Sequence, residues 1–149
     1  MQKGDLIFVY GTLRTGESND ISNWRAPAGS GGPAVEEFGS DAIDGVMYDC
    51  GWYPGVQKAD DFGSGGEVIF GEVFQIVGNG VVDRLDMYEG YPSLYDRVQV
   101  TSMRGRKVWV YTYNDEMPES AKVDGGDWVN YMSLKRAELR AATARIDVC

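Results

Sequence analysis

The sequence predicts a single α+β domain, on three observations. Short stretches at residues 6–10, 43–49, 67–76, 95–103 and 107–113 carry the alternating or wholly apolar patterns of strands. Residues 80–90 and 128–146 instead carry apolar side chains at helical spacing. A length of 149 residues with 43% hydrophobic content suffices for one core and falls short of two.

In chain order, Leu6-Ile7-Phe8-Val9-Tyr10 is an apolar run that stops at Gly11, the pattern of a buried strand delivered into a turn. Residues 14–33 are rich in Gly, Ser, Asn and Pro, with a weak apolar signal around Ile21 and Trp24, and predict a short helix inside a long loop. Ile43, Val46 and Tyr48, then Val68, Phe70 and Val73, mark strand segments, and the glycine-rich 63–66 joins strand material. Val81, Leu85 and Tyr88 recur at i, i+4 and i+7, and Gly90 supplies a left-handed stop, so a short helix ends at Glu89. Val98/Val100 and Val108/Val110 alternate on either side of Gly105, as in a hairpin. Trp128, Tyr131, Met132, Leu134, Leu139 and Ala142 stand among charges, a partly amphipathic helix with a loose end. Residues 115–149 read as a C-terminal extension or helix of the one domain spanning 1–149, with no repeat or linker.

Composition excludes whole classes of chemistry. A net charge of −9, uninterrupted by any Lys/Arg cluster, repels phosphate backbones and anionic lipid surfaces, so neither nucleic acid nor membrane is an expected partner. The absence of histidine removes every mechanism that uses imidazole as base or metal ligand, and leaves proton transfer to carboxylates. Cys50 and Cys149 are too few for a disulfide framework or a zinc site and fit reduced thiols in a cytosol. No signal-like segment and no apolar run of membrane-spanning length stands out, so the expectation is a soluble cytoplasmic protein that needs no metal or cofactor. The sequence does not fix an oligomeric state.

Two segments carry candidate chemistry. In Tyr10-Gly11-Thr12-Leu13, a glycine without Cβ lets a ligand approach the backbone and allows unusual φ/ψ, so the loop's N–H groups can cradle an oxyanion or carboxylate. Taken alone, such a loop is more often an ordinary turn. In Leu85-Asp86-Met87-Tyr88-Glu89-Gly90, the negative pole of the helix lies beside Glu89 and makes its carboxyl harder to ionise, which suits a general base; a solvated helix-end glutamate is the commoner fate. Asp86, three residues earlier, is either a further source of repulsion or a solvated acid.

In combination and order, these segments resemble a known family. The strand ending in Tyr10-Gly11-Thr12-Leu13, Gly45-Val46-Met47-Tyr48-Asp49 with Tyr53-Pro54-Gly55, Gly71-Glu72-Val73-Phe74, Leu85 to Gly90, Tyr95-Asp96-Arg97-Val98 and Val110-Tyr111-Thr112-Tyr113 follow the order seen in γ-glutamyl cyclotransferase-like proteins. The resemblance covers residues 6–114, and Gly126-Asp127-Trp128 is similar to a segment of some bacterial members. Thr12 and the short chain look more like the γ-glutamylamine cyclotransferase and avirulence-induced branches.

The resemblance implies a compact mixed β-barrel flanked by short helices, with a cavity where the 10–13 loop meets Glu89. It implies a reaction in which the α-amine of a γ-glutamyl group attacks its own γ-carbonyl, closing 5-oxoproline and expelling an amine, amino acid or peptide. Glu89 is then the general acid/base, with Tyr10, Gly11, Thr12, Leu13 and Tyr95 binding the substrate. Tyr53, Tyr111 and Tyr113 either anchor substrate or pack, with Tyr113 assigned to packing. Arg97 is assigned to a surface ion pair, and Trp24 and Trp52 either line a leaving-group pocket or pack. A member that binds a small ligand or a protein without turnover, or that hydrolyses a different amide, is the alternative.

Overall fold

The computed structural model describes residues 1–26, 31–58 and 66–147. Its elements run β1 (Leu6–Val9), β2 (Val35–Asp49), β3 (Pro54–Gln57), β4 (Glu67–Ile76), α1 (Val81–Glu89), β5 (Tyr95–Thr101), β6 (Lys107–Tyr113) and α2 (Trp128–Asp147). Single 3-10 turns at Ile21–Asn23 and Glu119–Ala121 interrupt the connections. Most of the glycine-rich 63–66 segment and Cys149 lie outside the described residues.

The strands form one mixed sheet in the order β3-β2-β4-β1-β6-β5. All neighbours are antiparallel except β1 and β6, which run parallel through Ile7 and Trp109. The unbroken apolar run of β1 follows from its central place, because both of its faces are covered. Ile7 and Val9 join Phe74, Val81 and Leu85 in one core cluster. Phe8 and Tyr10 join Ile69, Val73 and Trp128 in another. Two side chains of β1 thus bind α1 to the sheet while their neighbours in sequence bind α2.

β2 starts earlier than the 43–49 pattern indicates. Its first half pairs with β4 from Val35 onward, but Glu36, Glu37 and Phe38 point mostly to solvent and the register shifts between Glu37 and Gly39, so no clean alternation survives. Past Gly45 the same strand pairs with β3 instead. α2 is seated by buried Trp128 and Met132 and by Asp49, which accepts from the Tyr131 hydroxyl and the Lys135 ammonium, each at 2.7 Å. Beyond Lys135 the helix is exposed as far as Arg145. No helix among the described residues is long and apolar enough to cross a membrane.

The expected barrel does not form: β3 and β5 remain the edges of an open sheet. β3 is four residues long and begins with a proline that has no N–H, so it has few ladder donors to offer a closing neighbour. Side chains span the gap instead. The Tyr95 hydroxyl donates to the Pro54 carbonyl at 2.7 Å. The Tyr10 hydroxyl donates to the Tyr111 carbonyl at 2.7 Å and accepts from the Val56 N–H at 3.3 Å. The Gln57 amide donates to the Tyr113 and Asp115 carbonyls.

Tyr95→Phe keeps the ring and its edge contact with Tyr113 while leaving the buried Pro54 carbonyl unpaired. Urea denaturation is expected to show a loss of about 1–3 kcal/mol. An unchanged midpoint would mean that this hydroxyl does not hold the seam.

Candidate active site

The seam encloses a cavity of about 420 Å³, within the ~300–1,000 Å³ range of small-molecule sites. Two chain reversals build it. On one side β1 ends and residues 10–13 turn away from the sheet; on the other, α1 stops at Glu89 because Gly90 takes φ 68° and caps the carbonyls of Asp86 and Met87. Glu89, Tyr10, Gly11, Thr12, Leu13 and Tyr95, the residues singled out from sequence, all line this one space.

Gly11 is needed for closeness rather than for an unusual φ, since its backbone is not in the left-handed region. A Cβ built there would lie 2.5 Å from Cγ of Pro54. The loop is clamped from behind: Arg14 Nε donates to Glu72 at 2.5 Å, Arg14 Nη1 donates to Asp127 at 3.1 Å, and the Thr15 N–H donates to Glu72 at 2.9 Å. Among the described residues, the N–H groups of Gly11, Thr12 and Leu13 have no hydrogen-bond acceptor, whereas the carbonyls of all three accept one. The loop therefore brings to the cavity wall donors without partners.

The facing wall has the opposite polarity. The hydroxyls of Tyr10 and Tyr95 give their protons to backbone carbonyls, and Tyr111 gives its proton to Asp86 at 2.7 Å. The oxygens of Tyr95 and Tyr111 are left as acceptors, while that of Tyr10 already accepts from the Val56 N–H. Burial first, and then the charge of Glu89 among other causes, raises the pKa of Tyr10 well above its ordinary value, so it stays protonated. Burial likewise raises Tyr95 and Tyr111.

Among the described residues, Glu89 is the one charged side chain on the cavity wall. Its carboxyl makes no hydrogen bond to a described residue, and burial pushes its pKa up to about 7. Burial is the cause rather than repulsion from Asp86, which the sequence left open as either a source of repulsion or a solvated acid. Asp86 is half-buried, its charge answered by the Tyr111 hydroxyl and by an ion pair with Arg97 at 3.3 Å. Arg97 thus has the ion-pair role expected of it, and also covers the Tyr91 ring at 4.4 Å.

Other residues enter the site that the sequence did not single out. Tyr88 stands at the mouth, its oxygen accepting from the Asn19 side-chain amide at 2.8 Å and sharing a 2.7 Å hydrogen bond with Thr12. Leu94 and Asn19 also line the cavity, and of the undecided tyrosines Tyr53 and Tyr111 do so while Tyr113 packs beside them. Tyr88 was legible only as the i+7 member of the helical repeat, beside Glu89; Asn19 sits in a loop and carried no signal. Trp24 lies behind Tyr88 in an edge contact of 5.9 Å, and exposed Trp52 lies under Lys135, away from the cavity.

A family model described as gamma-glutamyl cyclotransferase, AIG2-like matches residues 7–130, a span that includes the loop, α1 and the whole sheet from Ile7. The chain belongs to this family. A Vibrio cholerae protein provisionally named a gamma-glutamylcyclotransferase is 31% identical over 123 residues, 83% of this chain and 94% of the relative. A gamma-glutamylcyclotransferase family protein of Citrobacter rodentium is 29% identical over 124 residues, covering 83% and 95%. The crystal structure of an AIG2-like protein from mouse superposes with a TM-score of 0.65 at 21% identity, over 85% of this chain and 89% of that one, a likeness of fold.

Gly11→Ala is expected to push Pro54 and the start of β3 outward, lowering stability by about 1–3 kcal/mol and weakening ligand binding in the cavity. Denaturation together with ligand titration of the variant checks this. Normal stability and binding would make the close approach of Pro54 incidental.

Proposed function

We propose that the protein closes a γ-glutamyl group to 5-oxoproline and releases the amine to which it was bound. The observation that carries this reading is the carboxyl of Glu89, raised to about 7 by burial and set in the same cavity as the N–H groups of residues 11–13, which have no acceptor among the described residues.

Nucleophile and electrophile belong to one substrate, so the protein has to fold it, receive an oxyanion and move a proton. The α-nitrogen forms a new bond to the γ-carbonyl carbon, and the carbonyl electron pair moves onto oxygen, towards the amides of the loop. Before the attack Glu89 takes one proton from the α-ammonium, which frees the lone pair, and after it the nitrogen, now cationic, has a second proton to give up. As the carbonyl re-forms, the old C–N bond breaks, the departing nitrogen takes that proton, and the proton held by Glu89 follows it, so that the amine leaves as an ammonium and the carboxylate is restored. An α-ammonium with a pKa of about 8 is a poor match for a free glutamate at about 4.3 and a close one for a carboxyl near 7. The tyrosine oxygens, with their protons committed elsewhere, suit the ammonium end of the substrate.

Glu89→Gln keeps shape and removes the base. Release of 5-oxoproline from a panel of γ-glutamyl amino acids, γ-glutamylamines and glutathione should fall roughly 10²–10⁴-fold while binding persists. The folded-state pKa lies above the ordinary 4.5, so the stabilisation of protonated Glu89 is complete below about pH 4.5 and is lost as pH rises through about 7. The thermal midpoint of the variant should therefore gain on the parent across that window and hold a constant lead above it. Undiminished turnover in Glu89→Gln would remove Glu89 from the mechanism.

A further inference from the structure

Asp86 lies outside the cavity and reaches it through one side chain. Its Oδ1 accepts from the Tyr111 hydroxyl at 2.7 Å, and its Oδ2 lies 3.3 Å from Nη1 of Arg97. Arg97 and Tyr111 stand directly opposite each other on β5 and β6, so one carboxylate of α1 is answered by two cross-strand neighbours. The Arg97 guanidinium is held in turn over the Tyr91 ring at 4.4 Å. Of these four residues, Tyr111 alone lines the cavity.

The three bridging tyrosines differ in what takes their protons. Tyr10 donates to a carbonyl and its oxygen already accepts from the Val56 N–H, and Tyr95 donates to the neutral carbonyl of Pro54. Tyr111 donates to a carboxylate, which only accepts, so its proton has one direction to point. A charge-assisted bond of this kind also polarises the donor and leaves more negative charge on its oxygen. Burial, then the bond to Asp86, and after it the charges of Asp86 and Glu89, raise the Tyr111 pKa and keep the proton in place. Asp86 and Glu89 are three residues apart on α1, neighbours on the helix surface, so one helix sets both the acceptor oxygen and the base.

We infer that Asp86 is a positioning residue for the attacking nitrogen: by holding the Tyr111 proton away from the cavity, with Arg97 steadying the carboxylate, it makes the Tyr111 oxygen the acceptor for the α-ammonium of the γ-glutamyl group. This rests on the cyclisation reading of the cavity. The nitrogen is held by Tyr111 through one N–H while Glu89 removes another of its protons, which leaves the lone pair to the γ-carbonyl. An amide at position 86 can donate as well as accept, so it no longer fixes which way the tyrosine proton points.

The experiment separates the α-amine from the rest of the ligand. Glutaryl compounds match γ-glutamyl compounds in carboxylate and amide and lack only the amine. Calorimetric Kd values for γ-glutamylalanine and γ-glutamylethylamine, each beside its glutaryl counterpart, are measured in Glu89→Gln, where turnover is suppressed. Glu89→Gln should prefer the amine-bearing member of a pair. Adding Asp86→Asn should shrink that preference by roughly 10-fold to 100-fold, the scale of a lost hydrogen bond to a charged group, and leave the glutaryl compound unchanged. Tyr111→Phe should shrink it likewise, and the two changes together no further than either alone, because they act on one contact. Asp86→Glu keeps an acceptor-only group and should retain part of the preference; if Asp86→Asn does not fold, Glu against Tyr111→Phe makes the same comparison. No preference for the amine-bearing ligands in Glu89→Gln, equal losses for both members of a pair, or additive effects at 86 and 111 overturn this inference and leave the cyclisation reading intact. A parent that forms 5-oxoproline from no γ-glutamyl compound overturns the cyclisation reading and this inference with it.

Discussion

The site depends on a gap in the sheet that no strand closes. β3 cannot pair along its outer edge with β5 or β6, so the chain spans the opening with tyrosine hydroxyls: Tyr95 to the Pro54 carbonyl, and Tyr10 between the Val56 N–H and the Tyr111 carbonyl. Had backbone ladders closed the gap, the strands there would stand about 4.8 Å apart, with no room for tyrosine side chains between them. Side-chain bridges hold them further apart, leave a space of about 420 Å³ and line it with aromatic rings. The same rings desolvate Glu89. Folding and electrostatics meet in a few hydroxyl groups.

Each bridge also settles the direction of a proton. A tyrosine that donates to a buried carbonyl or carboxylate can only accept from a ligand, so Tyr95 and Tyr111, which donate to the Pro54 carbonyl and to Asp86, form an acceptor wall. Residues 11–13 supply the complementary donors, held in place by the Arg14–Glu72 clamp on the loop's far side. A cavity polarised in this way orients a substrate that carries an ammonium at one end and a developing oxyanion at the other. Glu89, without a hydrogen bond to a described residue, is the group whose protonation is free to change.

Much of this was visible in the sequence. The run Leu6–Val9, the helix ending at Glu89 and the hairpin of β5 and β6 were legible because local pattern and tertiary place agree there: a central strand is apolar throughout, and Gly90 adopts the left-handed cap that its position demands. β3 was hidden because Pro54-Gly55 reads as a turn and is held as a strand by bonds from β2 and Tyr95. The first half of β2 was hidden by its exposed acids and its bulge. The barrel expectation failed at the one place where closure needs a ladder donor that proline lacks. At the site, an ordered set of motifs led to Glu89 and the loop, but the cause of the raised pKa is enclosure by residues distant in sequence, which a helix-end argument could not supply. Asn19 and Tyr88 owe their place to tertiary contact alone.

The ionisation of Glu89 in the resting protein is the most direct test. Carboxyl carbon resonances of protein labelled at glutamate, assigned by their loss in Glu89→Gln and followed across pH, report it without any substrate. A midpoint near 7, well apart from the other glutamates, is the result that enclosure by the tyrosine-bridged seam predicts. A midpoint near the ordinary 4.5 would show that water reaches the carboxyl freely, and would contradict both the enclosure and the proton transfer built on it.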